Sequence, residues 1–110
     1  MNKNNKLKRV SKKQLELTYE VNYSLPFKYE YEIENKCLVE LVKEYTSDDN
    51  NEIIDGAPVT NHYIFKGLKE GKTTITFKTI SIDDNKIIIE EKNYITIDKN
   101  KTITLIKQDK

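Results

Sequence analysis

The chain contains no tryptophan, one cysteine, one histidine, two prolines and three glycines in 110 residues. With Cys37 alone, no intrachain disulfide can form and a disulfide-stapled scaffold is excluded. No apolar run approaches the roughly 20 residues that a membrane-spanning helix needs. Neither sign of charge dominates: 19 Lys and Arg stand against 18 Asp and Glu, for a formal net charge of +1. So balanced a surface argues against nucleic acid or acidic lipid as the main partner. Met1–Lys13 is basic and polar and lacks the apolar core of a signal peptide. The expected location is therefore cytoplasmic, or that of a trimmed secreted or surface protein. The cations of this stretch (Lys3, Lys6, Lys8, Arg9, Lys12 and Lys13) are not interleaved with aromatics. That pattern favours a flexible lead-in over residues 1–13, its end pairing as an edge strand, above a nucleic-acid or membrane anchor.

Catalytic and metal-binding patterns are missing too. There is no phosphate-binding glycine loop, nucleophile elbow, zinc spacing or dinucleotide fingerprint. Cys37 has apolar neighbours in Leu38 and Val39 and reads as a buried structural thiol. His62, at the start of a strand, reads as a surface imidazole rather than the partner of a nucleophile. Glu90 and Glu91 are adjacent in a strand, so they point to opposite faces and cannot act on one substrate together. Asp48 and Asp49 lie in a polar loop without the spaced carboxylates and turn glycine of a calcium site. No cofactor or metal is expected, and the chain does not read as an enzyme.

What is present is β-branched and aromatic. Ile, Val, Thr, Tyr and Phe suit half-buried pleated strands, and apolar residues overall make up 36%. The period is two from Leu15 onward. Leu15, Leu17, Tyr19 and Val21 alternate with polar residues, and so do Phe27, Tyr29, Tyr31 and Ile33. Pro26, which has no N–H for a ladder, marks the point where the chain leaves one strand before the next. After a turn at Asn35-Lys36, Val39 and Leu41 continue an inward set to about Tyr45. Ile53-Ile54-Asp55 leads from the polar loop into a strand with Tyr63 and Phe65 on one face. Gly67-Leu-Lys-Glu-Gly71 makes a tight corner into a strand carrying Ile75 and Phe77 and reaching towards Ile82. Asp83-Asp-Asn-Lys86 is an Asx-rich turn. Ile87–Ile97 follows as one long strand, or two broken near Lys92-Asn93. Asp98–Lys101 turns into a last strand with Ile103 and Leu105.

These signals predict one all-β domain over residues 14–107, a sandwich of about seven to eight antiparallel strands. At this length it buries roughly two thirds of its unfolded surface. Leu17, Tyr19, Phe27, Tyr29, Tyr31, Phe65, Ile75, Phe77, Ile95, Ile103 and Leu105 are expected to form most of the core.

Two stretches resemble chagasin-type inhibitors of papain-like cysteine proteases. Gly56–Phe77 is similar to that family's glycine loop, the following strand, the corner and the next strand. Asn22–Ile33 aligns without a gap to its Asn-Pro-Thr-Thr-Gly loop and the aromatic strand after it. The resemblance implies an immunoglobulin-like β-sandwich; a monomer is expected. It also implies a reversible inhibitor that fills the protease cleft with three loops from one end of the sandwich. By position, the first loop is Asn22, Tyr23, Ser24, Leu25 and Pro26. The second is Gly56, Ala57, Pro58 and Val59, and the third is Ser81, Ile82 and Asp83. Each departs from the family pattern. Pro26 stands where the family has glycine, one glycine of Gly-x-Gly-Gly remains, and the Arg-Pro-aromatic motif of the third loop is replaced. A scaffold that serves as a non-inhibitory binding or surface module is the alternative.

Overall fold

The computed structural model describes residues 8–11, 13–47 and 58–109. Among them there is no helix, and eight strands account for most of the chain. They are β1 (Lys8–Ser11), β2 (Gln14–Val21), β3 (Phe27–Ile33), β4 (Val39–Ser47), β5 (Val59–Gly67), β6 (Gly71–Ser81), β7 (Ile87–Ile97) and β8 (Ile103–Asp109). One sheet has the order β1-β2-β5-β4 and the other β3-β6-β7-β8. Every pairing is antiparallel. The expected all-β sandwich is thus what the chain forms, and Ile87–Ile97 is a single strand rather than two. The end of the basic lead-in, Lys8–Ser11, pairs along the edge of β2.

The period-two sequences form strands because alternate residues meet across the two sheets. Leu15, Leu17, Tyr19 and Val21 of β2 and Tyr63 and Phe65 of β5 face Ile75, Phe77, Ile95, Ile97 and Ile103 of the second sheet. Tyr19 stacks on Phe77 with ring centroids 5.2 Å apart, and Tyr63 packs at 4.8 Å from the same ring. Phe77 therefore sits at the centre of an aromatic cluster. Full truncation of such a residue costs about 3–5 kcal/mol.

The glycine corner between β5 and β6 is held from two sides. A Cβ on Gly67 would lie 2.8 Å from the Lys101 carbonyl oxygen, in the β7–β8 turn. Gly71 has φ of 154°, and a Cβ there would meet Leu38. Both positions thus require the residue that the sequence supplies.

Three expectations are corrected. Tyr45 points out of the sandwich, because Val42 is an extra residue between the pairs Leu41–Phe65 and Lys43–Ile64. The bulge moves every later side chain of β4 to the opposite face. Cys37 is exposed in the turn before β4, and Leu38 and Val39 are buried in its place. Phe27 is only half-buried, at the end of β3 where the sandwich opens, and Tyr29, Tyr31 and Leu105 are half-buried against the core. Asn93, a polar residue in β7, is fully buried. Its Nδ2 donates to the Ile75 carbonyl at 3.0 Å, and its Oδ1 accepts from Gln108 Nε2 at 2.8 Å. With both ends of the amide satisfied, its burial costs little.

Candidate functional site

Strand register brings the three candidate loops to one end of the sandwich. Val21 stands opposite Val59, Ser47 opposite Thr60, and Phe27 opposite Ser81. The β2–β3 loop, the two stems of the β4–β5 loop and the β6–β7 hairpin are therefore neighbours. Gly56 and Ala57 lie outside the described residues, as do the Asp48-Asp49 pair, Ile53–Asp55 and most of the basic lead-in. Pro58 is exposed at the stem, and Val59 begins β5 packed against the core.

The first loop is a closed turn. The Leu25 N–H donates to the Asn22 carbonyl at 3.2 Å, and the Phe27 N–H to the Leu25 carbonyl at 2.8 Å, around Pro26. Asn22 Oδ1 accepts from the Ser24 N–H at 3.0 Å and from Ser24 Oγ at 2.7 Å. This Asx turn is the local reason for asparagine at the loop start. Tyr29 then clamps the Asn22 backbone, donating its hydroxyl proton to the carbonyl at 3.0 Å and accepting from the N–H at 2.8 Å. A proline that cannot donate, at the loop end, completes a turn with few free backbone torsions.

Two contacts tie this loop to its neighbours. The Ile82 N–H donates to the Pro26 carbonyl at 3.0 Å, joining the first loop to the third. Asn61 of β5, which is buried, donates from Nδ2 to Tyr23 Oη at 3.0 Å and to Tyr63 Oη at 3.3 Å. Its Oδ1 accepts from Thr46 Oγ1 of β4 at 2.7 Å. Burial raises the Tyr63 phenol above its ordinary 10.0, and the Asn61 bond opposes that shift. The Tyr23 ring meets Tyr29 edge-on, with centroids 5.7 Å apart and planes at 88°.

The third loop is a short hairpin. The Ser81 N–H donates to the Lys86 carbonyl at 2.8 Å, and the Asn85 N–H to the Ser81 carbonyl at 2.9 Å. Asn85 takes φ of 58°, a left-handed value that asparagine tolerates. Ser81 is half-buried as the last residue of β6, whereas Ile82 and Asp83 are exposed. The combined surface is apolar at its tips: Tyr23 is 64%, Leu25 44% and Ile82 55% exposed.

A second cluster, on the outer face of the first sheet, was not legible from residue types. His62 Nδ1 lies 2.5 Å from Glu16 Oε2, and His62 Nε2 lies 2.6 Å from Ser47 Oγ. The Tyr45 ring stacks flat on the imidazole at 4.4 Å and donates its hydroxyl to Glu16 Oε2 at 3.3 Å. Burial and then the Glu16 carboxylate raise the Tyr45 phenol. The four side chains join β2, β4 and β5, and fix Ser47, the last described residue before the second loop. Cys37 is remote from this cluster: it lies in the turn before Val39, opposite Gly67, about 17 Å of strand from His62. The two cannot form a nucleophile pair. Among the described residues no group of His, Cys, Asp and Glu is arranged to hold a metal ion.

Comparison with known proteins identifies a family. A family model described as "Chagasin family peptidase inhibitor I42" matches residues 10–102. No curated protein and no solved structure matches the chain. The matched span runs from the edge strand to the β7–β8 turn and includes all three loops, so the chain belongs to the chagasin family, a family of peptidase inhibitors and not of enzymes.

Proposed function

We propose that the domain inhibits papain-like cysteine proteases reversibly, with the β2–β3 loop in the active-site cleft and the other two loops against its walls. The observation that carries this reading is the hydrogen bond from the Ile82 N–H to the Pro26 carbonyl, 3.0 Å long. It makes the first and third loops one rigid edge, with Leu25 and Ile82 as its apolar tips. A rigid edge binds without a large ordering cost.

The same geometry explains how such a loop resists cleavage. A protease substrate is held extended, with its scissile carbonyl free to enter the oxyanion site. Here the Leu25 carbonyl already accepts from the Phe27 N–H, and the Asn22 carbonyl from Leu25 and Tyr29. Presenting either bond as a substrate requires breaking the turn. Leu25 takes the place of a small polar residue of the family, Tyr23 of its loop proline, and Ile82 falls in the Arg-Pro-aromatic segment, so contact here is mainly apolar. Pro58 and Val59 extend it from the second loop.

The test is inhibition of a panel of papain-like proteases by the purified chain. Sub-micromolar, reversible inhibition of at least one enzyme is expected. Leu25→Ala should weaken it by about 2 kcal/mol, roughly thirtyfold in Ki. No inhibition at micromolar protein, or an unchanged Ki in the Leu25 variant, defeats the proposal.

A further inference from the structure

Beyond the loop end, the first half of β7 carries a feature that inhibition does not use. Ile87, Ile88 and Ile89 are consecutive and 52%, 48% and 49% exposed. On one side β7 pairs with β6, where Thr79 faces Ile89 and Ile80 faces Ile87, which leaves Ile88 as a bulge. On the other side β8 pairs only from Lys92, opposite Asp109. Among the described residues no strand covers the outer edge of Ile87–Glu90. An apolar edge of this kind is a template for another strand.

The charges around it define what fits. Lys86 and Glu90 flank Ile88 symmetrically, two residues away on either side. An antiparallel copy centred on Ile88 sets Lys86 against the other copy's Glu90 twice, and Ile87 against its Ile89 twice. Ile88 then meets its own counterpart. Neighbouring registers lose this match: centred on Ile89, Lys86 falls opposite Lys92, where β8 already pairs, and centred on Ile87, Lys86 falls opposite Ile88. Like charges directly opposite destabilise a strand pair, and opposite charges support it.

We propose that the Lys86–Glu90 segment, the start of β7 with the residue before it, is a self-association site, pairing antiparallel with the same edge of a second copy about a two-fold axis at Ile88. The interface is isologous, so one patch supplies both sides. It adds a strand on each copy end-to-end with β8 and joins the two β3-β6-β7-β8 sheets. Five residues per chain fall short of the roughly 1,000 Å² of a stable interface. The dimer is therefore weak. It also lies beside Ile82 and Asp83, so pairing withdraws the third loop from other contacts.

Sedimentation equilibrium on the full chain, from about 10 μM to about 1 mM, reads this directly and needs no protease. A reversible monomer–dimer equilibrium is expected, and Ile88→Lys should stay monomeric throughout. Lys86→Glu and Glu90→Lys should each lose at least about tenfold in dimer affinity when alone. An equimolar mixture of those two variants should regain it, because every cross-pair is then again of opposite sign. Circular dichroism checks that each variant is folded, which their exposure favours. A wild-type chain that is monomeric at about 1 mM overturns the proposal. So does a dimer indifferent to Ile88→Lys, or a mixture that fails to associate.

Discussion

The Ile82 N–H and the Pro26 carbonyl, 3.0 Å apart, join the β2–β3 loop, which crosses between the sheets, to the β6–β7 hairpin of the second sheet. The bond is made by backbone, so Ile82→Ala leaves it intact while Ile82→Pro removes the donor. Proline also suits the start of the hairpin, where its fixed φ is compatible with a turn. Ile82→Pro should weaken protease inhibition by about 1 kcal/mol, roughly fivefold in Ki, beyond the effect of Ile82→Ala. The comparison of the two Ki values is the measurement. Equal values would mean that loop coupling contributes nothing to binding.

Asn61 links the first loop to the strands beneath it. Its side chain satisfies Tyr23 and Tyr63 from one end and Thr46 from the other. Removing it leaves the Tyr63 hydroxyl buried without that partner. Asn61→Ala should destabilise the domain by about 2–3 kcal/mol, whereas Tyr23→Phe, at an exposed ring, should cost under about 1 kcal/mol. Urea denaturation of the two variants decides this. Equal losses would place the importance of the network at Tyr23 rather than in the interior.

The strands were legible because alternation of apolar and polar residues is a direct consequence of a half-buried sheet. Leu15–Val21 and Phe27–Ile33 show it plainly, and their registers follow from which face is wet. Tyr45 was misplaced because the bulge at Val42 has no glycine or other local marker, and the residue after it reads equally well on either face. Cys37 was misplaced because apolar neighbours say where a strand begins, not whether the residue before it is inside. Asn93 breaks the polarity rule, and only the partners Ile75 and Gln108, distant in sequence, make its burial tolerable. The first loop was partly legible, since Asn22 and Pro26 are turn residues with known mechanics. The Tyr23–Asn61 and Glu16–His62 contacts were not, because both depend on which strands are paired.

Glu16 is 5% exposed although it lies on the outer face of its sheet. Its carboxylate is covered by His62 and Tyr45, and both hydrogen-bond to it. Truncating His62 removes the closest donor and opens the site. His62→Ala should cost about 2 kcal/mol, and the cost should shrink by at least half in a Glu16→Gln background. A double-mutant cycle in urea measures the coupling. A coupling indistinguishable from zero would show that the two side chains are merely adjacent.

Buried phenols set the alkaline limit of the fold. Burial is the main cause that raises Tyr19 above its ordinary 10.0; the Thr79 hydrogen bond at 2.7 Å opposes it, and Glu91 and Tyr29 add to it. Burial likewise leads the upward shifts of Tyr63 and Tyr31, and the Glu44 carboxylate adds to both. Each of these groups keeps its proton to higher pH when folded than when unfolded. Their contribution to stability is therefore fully present below pH 10 and is lost as pH rises through the folded-state values. Stability should fall steadily above pH 10, with tyrosinate absorbance and loss of β-structure rising together. Tyr19→Phe removes one such group. It should lower stability at neutral pH, through the lost Thr79 bond, yet make the decline with pH shallower. Urea denaturation at several pH values reads both quantities. An unchanged slope in the Tyr19 variant would show that its phenol ionises as freely in the folded chain as in the unfolded one.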